Sequence, residues 1–142
     1  QIRRLAEIVA RRRELADRYR TLLLAVPGVA PPSEPVWAKS NWQSYAVRLD
    51  ASLVQRSVMT RMLEMGISTR RGVMCAHLEP AYSSAEPRHD LRRSGEARDH
   101  AILLPLFPQL TDDDQDHVVA ALTGAIAVGR AGGRPLADAV LA

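Results

Sequence analysis

An amphipathic stretch at the start of the chain, closed off by prolines, constrains the fold more than any other feature. Ile2, Leu5, Ile8, Val9, Leu15, Ala16, Tyr19, Leu22 and Leu23 recur at three- and four-residue steps, with Arg and Glu between them. That spacing lays an apolar stripe along one side of a helix, and it predicts one long helix over 2–24. The run PGVAPPSEP at 27–35 ends it, because each proline lacks a backbone donor and pushes the preceding residue out of the α region.

The rest of the chain changes rhythm. A loop holding Trp37 and Trp42 leads into SYAVRLD at 44–50, where Tyr45, Val47 and Leu49 alternate with Ser44, Ala46 and Arg48. This is the pattern of a half-buried strand. Ser52 is placed to cap a helix reaching about Met65, with Leu53 or Val54, Val58, Met59, Met62 and Leu63 inward and Gly66 as its C′ residue. ISTRRGV at 67–73 reads as a short second strand. The charged segment from Asp90 to His100 reads as helix, and ILLPLF at 102–107 as a third strand that Pro105 restricts to an edge or an end. Thr111 before three aspartates is a strong helix start: a capping hydroxyl, then carboxylates at the positive end of the dipole. Val118, Val119, Leu122 and Ile126 carry that helix to about Val128, and residues 129–142 are expected to form a flexible tail. These segments mix helices with short strands, and the fold class expected is α+β.

Composition narrows the class. In 142 residues, 46% apolar and 25% charged, there is enough to build a core without metals or disulfides. The longest apolar run, AILLPLFP at 101–108, is short and broken by two prolines, so no membrane span is expected. Cys75 is the only cysteine. No intrachain disulfide can form, and a reducing compartment, the cytoplasm, fits. The chain opens without Met and already in helical rhythm, which looks like the interior of a longer protein. The net charge of +3 is uneven: residues 1–24 hold seven arginines and three acids, so the remainder is slightly acidic.

Most chemical signatures are missing. No P-loop exists, and GRAGGRP at 129–135 lacks both the preceding strand and the dinucleotide-binding spacing. None of His77, His89, His100 and His117 stands in an H-E-x-x-H pattern, and Cys75 with His77 gives too few ligands for zinc, so no metal site is expected. The acids from Asp112 to Asp116 lack a calcium loop's turn glycine and read as a solvated helix start. Arg70, Arg71 and His77 are more suggestive. Two guanidiniums at a strand end, followed by a histidine, are suited to gripping a phosphate or carboxylate. From spacing alone the plainer reading, surface arginines and a loop histidine, is the stronger.

QIRRLAEIVARRRELADRYRTLL, SYAVRLD, MGISTRR, AHLEPAY and LPLFPQLTDDDQDHVVAAL, in that order, resemble the C-terminal part of DegT/DnrJ/StrS sugar aminotransferases. The first block resembles their interdomain helix, and the LPLFP–LT–acid–helix block is the most specific. The resemblance implies the small domain of a fold-type I pyridoxal-phosphate (PLP) enzyme: a long helix, then a small antiparallel sheet with helices packed on it, over residues 1–128. It implies a parent that transfers an amino group from Glu or Gln to a keto group of a nucleotide-linked sugar, commonly as a homodimer. The cofactor lysine would lie in a large domain preceding this chain. Lys39, the only lysine, sits in the proline-rich loop outside that context, so no catalytic or cofactor-binding residue is assigned and the piece alone is expected to be inactive. By resemblance, the GISTRR segment and His77 border the active site, which makes Arg70, Arg71 and His77 the substrate-binding candidates, with only one of the two arginines facing the cleft and Arg70 favoured. Val73, Met74, Cys75 and Ala76 stand where family members often carry prolines, which leaves the substrate subclass open. The rival from another class is a nonenzymatic binding module that uses the arginine-rich helix for nucleic acid or an acidic partner.

Overall fold

The computed structural model describes residues 2–72, 74–82 and 89–131. After a 3-10 turn at Ile2–Arg4, helix α1 runs Leu5–Leu23 and is followed by a two-residue strand β1, Val29–Ala30. Strand β2 is Tyr45–Leu49, helix α2 Gln55–Glu64, strand β3 Arg70–Arg71, helix α3 Arg92–His100, strand β4 Ala101–Leu104 and helix α4 Asp112–Ala131. The strands form one antiparallel sheet in the order β1-β2-β4-β3.

The alternation in β2 works as its sequence predicts: Tyr45, Val47 and Leu49 are buried and Arg48 is exposed. Tyr45 pairs with Leu104 and Val47 with Ile102, so these buried side chains share one sheet face. Leu15, Ala16, Tyr19 and Leu23 of α1, Val58 and Met62 of α2, and Val118, Leu122 and Ile126 of α4 join them in one core. Tyr19 lies 5.2 Å from the Tyr45 ring, and its hydroxyl donates to Pro105 O at 3.1 Å. The stripe of α1 is only partly used, because Ile2 and Leu5 remain exposed. Arg11 donates to the carbonyls of Pro108 and Leu110, and Arg18 donates to both Asp116 carboxylate oxygens at 2.9 Å, which fastens α1 to the chain around the start of α4.

Several local expectations are corrected. Ser52 does not cap α2. Asp50 captures its amide at 2.9 Å and its hydroxyl at 2.6 Å, a local side-chain turn that competes with capping and delays the helix to Gln55. Of the inward candidates, Leu53, Val58 and Met62 are buried, whereas Val54 and Leu63 are exposed. Gln55, Val58 and Met62 form the buried stripe of α2 instead. The strand expected over 67–73 shrinks to Arg70–Arg71. Strand β1 arises inside the proline-rich run, where no alternation announced it. The third expected strand, 102–107, is Ala101–Leu104; Pro105 falls at its end, one of the two places expected for it, and β4 pairs on both sides within the sheet. Gly66, at φ +81°, takes the left-handed conformation a C′ residue needs. Helix α4 extends past Val128 to Ala131, and residues 132–142 of the expected tail lie outside the described residues.

Candidate functional site

Arg70 and Arg71 form β3, which pairs with β4 at one edge of the sheet. Arg71 lies opposite Ile102, a core residue, and Arg70 opposite Leu103. Paired residues share a face and neighbours along a strand alternate, so Arg71 stands on the helix side and Arg70 on the opposite side. Both are exposed. The expectation that the two arginines part company therefore follows from the register. The structure does not bring the pair together as one clamp.

Gly72 explains how this short edge comes so close to its neighbour. Its amide donates to Ala101 O at 2.9 Å, and a Cβ at position 72 would lie 2.7 Å from the Ala101 Cβ and 3.2 Å from that carbonyl oxygen. Only a residue without a side chain fits there. The start of β4 is held in turn by Gln55. This buried amide donates to Arg98 O at 2.8 Å and Ala101 O at 2.7 Å, using both of its hydrogens at the junction of α3 and β4. Nothing in the sequence pattern distinguished Gln55 from a solvated polar residue at a helix start.

His77 is half-buried in a 3-10 turn, Ala76–Leu78. The turn is anchored by Cys75, which is buried and donates its thiol to Ser94 O of α3 at 3.2 Å. The lone cysteine thus packs the histidine's segment onto α3. Asp99 on the same helix is held below the ordinary carboxylate range, first by the hydrogen bond from Arg98 at 2.8 Å and more weakly by His100 and Arg71.

The arginine-rich helix reads differently once its partners are placed. Among the described residues, five of the seven arginines in 1–24 form ion pairs within the chain: Arg4 with Glu7, Arg11 with Glu14, Arg13 with Glu34, Arg18 with Asp116 and Arg20 with Asp17. Much of the segment's positive charge is matched locally. Lys39 is exposed in the loop between β1 and β2, where Glu34 is the carboxylate that feels its charge. No cluster of three or more His, Cys, Asp or Glu side chains able to hold a metal ion occurs among the described residues, and no helix among them is long and apolar enough to cross a membrane.

Residues 1–123 match the DegT/DnrJ/EryC1/StrS aminotransferase family. The chain belongs to this family. Among solved structures it is similar to the aminotransferase TlmJ from Streptoalloteichus hindustanus, with 33% identity and a TM-score of 0.79 over 90% of this chain and 34% of that one. DesV from S. venezuelae, solved in complex with a ketimine intermediate, is 25% identical with a TM-score of 0.77 over 87% of this chain and 33% of that one. Spr1654 from Streptococcus pneumoniae, solved in its PLP-form, shares the fold at 19% identity, with a TM-score of 0.76 over 90% of this chain and 33% of that one. This chain therefore spans about a third of the length of the structures it matches. Within the DegT/DnrJ/EryC1/StrS family, the α+β domain described here corresponds to that third.

Proposed function

We propose that this chain is the small domain of a pyridoxal-phosphate-dependent sugar aminotransferase that moves an amino group from Glu or Gln to a keto group of a nucleotide-linked sugar. The observation that carries the reading is the family match over residues 1–123, supported by the likeness to TlmJ over 90% of the chain. The cofactor supplies an electron sink when bound. Its lysine and pocket are assigned to the part of the protein outside these 142 residues, because Lys39 is exposed in a loop. The domain alone is then inactive, and the whole enzyme works in the cytoplasm as a homodimer.

Within this domain, substrate contacts are assigned to the segment from β3 to the 3-10 turn. Arg70, on the sheet face away from the helices, is the favoured anion-binding residue, and His77 adds a second polar contact. Guanidinium suits a diphosphate because it offers two parallel donors. In the intact protein, Arg70→Ala is expected to raise KM for the keto-sugar roughly tenfold or more, with the cofactor's absorbance unchanged. Arg71→Ala is expected to leave KM near wild type. An unchanged KM in both variants removes the arginines from the substrate site.

The binding-module reading draws on the same arginine-rich helix. The ion pairs from Arg4, Arg11, Arg13, Arg18 and Arg20 to in-chain carboxylates weaken it, since a phosphate backbone would have to displace them.

A further inference from the structure

The groove between α2 and β3 takes Arg71, the arginine that the reading above leaves out of the keto-sugar site. It encloses about 370 Å³, within the range of small-molecule sites, roughly 300–1,000 Å³. Gln55, Arg56, Met59, Thr60 and Leu63 line its α2 wall. The last four follow the i, i+3, i+4, i+7 spacing, a stripe that runs beside the buried Val58 and Met62, and Gln55 belongs to both. Thr69 and Arg71 come from β3 and the residue before it.

Three features of this groove point to an anion with an apolar body. Arg56 and Arg71 have no ion-pair partner among the described residues, and none of the residues lining the groove is acidic. Asp99, the carboxylate that feels Arg71, is already hydrogen-bonded to Arg98. The Thr69 hydroxyl oxygen is buried without a hydrogen-bond partner among the described residues, a state that costs free energy until a ligand satisfies it. Leu63, exposed where it was expected to be inside, and the half-buried Met59 give the groove an apolar wall.

We propose that this groove binds a small molecule carrying a phosphate group, with the phosphoryl oxygens held by Arg56 and Arg71, a further bond from the Thr69 hydroxyl once its side chain turns the buried oxygen toward the groove, and a ring or chain against Met59 and Leu63. Phosphate is favoured over carboxylate because two guanidinium forks and a hydroxyl offer more donors than two oxygens can use, whereas a phosphate monoester presents three terminal oxygens. The inference stands apart from amino transfer, and its test contains neither amino donor nor keto acceptor, so either can fail without the other.

The test titrates the intact protein, labelled with 13C in its methionine methyl groups, with phenyl phosphate. Benzoate and benzyl alcohol serve as comparisons, and the Met59 signal is identified through Met59→Leu. The expected result is a saturable movement of the Met59 signal with phenyl phosphate. The affinity should fall roughly tenfold in Arg56→Ala and in Arg71→Ala, fall less in the lysine variants that keep the charge, and stay unchanged in Arg48→Ala, which removes a charge from the other sheet face. No saturable movement, an equal response to benzoate, or undiminished affinity in both arginine variants would overturn the proposal.

Discussion

At the scale of single residues, Glu34 shows how a loop without regular structure is held. Its carboxylate accepts from Arg13 Nη1 at 2.9 Å and Nη2 at 2.8 Å and from the Ser40 amide, while Arg13 also donates to Ser40 O. The bonds from Arg13, then that from Ser40, push its pKa down from 4.5 to about 2. With a folded value below the unfolded one, the contribution is complete above about pH 4.5 and is lost as pH falls toward 2, because the unfolded chain takes up the proton first. Unfolding midpoints measured across that window should fall with acid more steeply in the wild type than in Glu34→Gln. Parallel curves would remove this carboxylate from the account. The partnership was not legible beforehand: Glu34 lies among prolines, and Arg13 is 21 residues away on a helix that carries four other arginines. Arg70 and Arg71 were legible as a pair, and period-two alternation implied that they part. Arg56 was not, because one arginine on a helix surface resembles any other until the facing strand is placed.

At the scale of elements, long periodic segments declared themselves and short ones did not. The stripe of α1, the alternation of β2 and the Thr111 start of α4 each rest on several residues acting together. Thr111 and Asp114 cap reciprocally: the Asp114 amide donates to the Thr111 hydroxyl oxygen at 3.1 Å, and the Asp114 carboxylate accepts from the Thr111 amide at 2.9 Å. Strands β1 and β3, two residues each, are fixed by their pairing with β2 and β4, which no local pattern encodes. Ser52 failed as a cap because Asp50, two residues earlier, competes for it. The edge strand β3 depends on Gly72. Gly72→Ala should push β3 away from Ala101, destabilising the domain by about 1–3 kcal/mol and speeding exchange of the residue-72 amide. Adding Ala101→Gly removes the opposing Cβ and should restore part of the loss. Wild-type stability and exchange in Gly72→Ala would show that β3 is not held by this close approach.

At the scale of the whole molecule, three helices and the buried sheet face share one core, and the opposite face bears Arg70 and Arg48. Ile2 and Leu5, at the start of the first helical segment, stand exposed outside that core. The α+β class was legible from the mix of helical and strand periods together with the family resemblance, which implied the antiparallel sheet. The substrate was not, because this chain spans about a third of the length of the structures it matches, and Arg70, Arg71 and His77 alone do not name a sugar. The central claim is amino transfer to a nucleotide-linked keto-sugar. Its most direct test supplies the intact, cofactor-loaded protein with 15N-labelled glutamate or glutamine and such a sugar, and follows the label by mass spectrometry. The account predicts 15N in the sugar product, with one equivalent of the 2-oxo acid formed per label transferred. Release of no 2-oxo acid from either donor and no label in any nucleotide-linked sugar would contradict it.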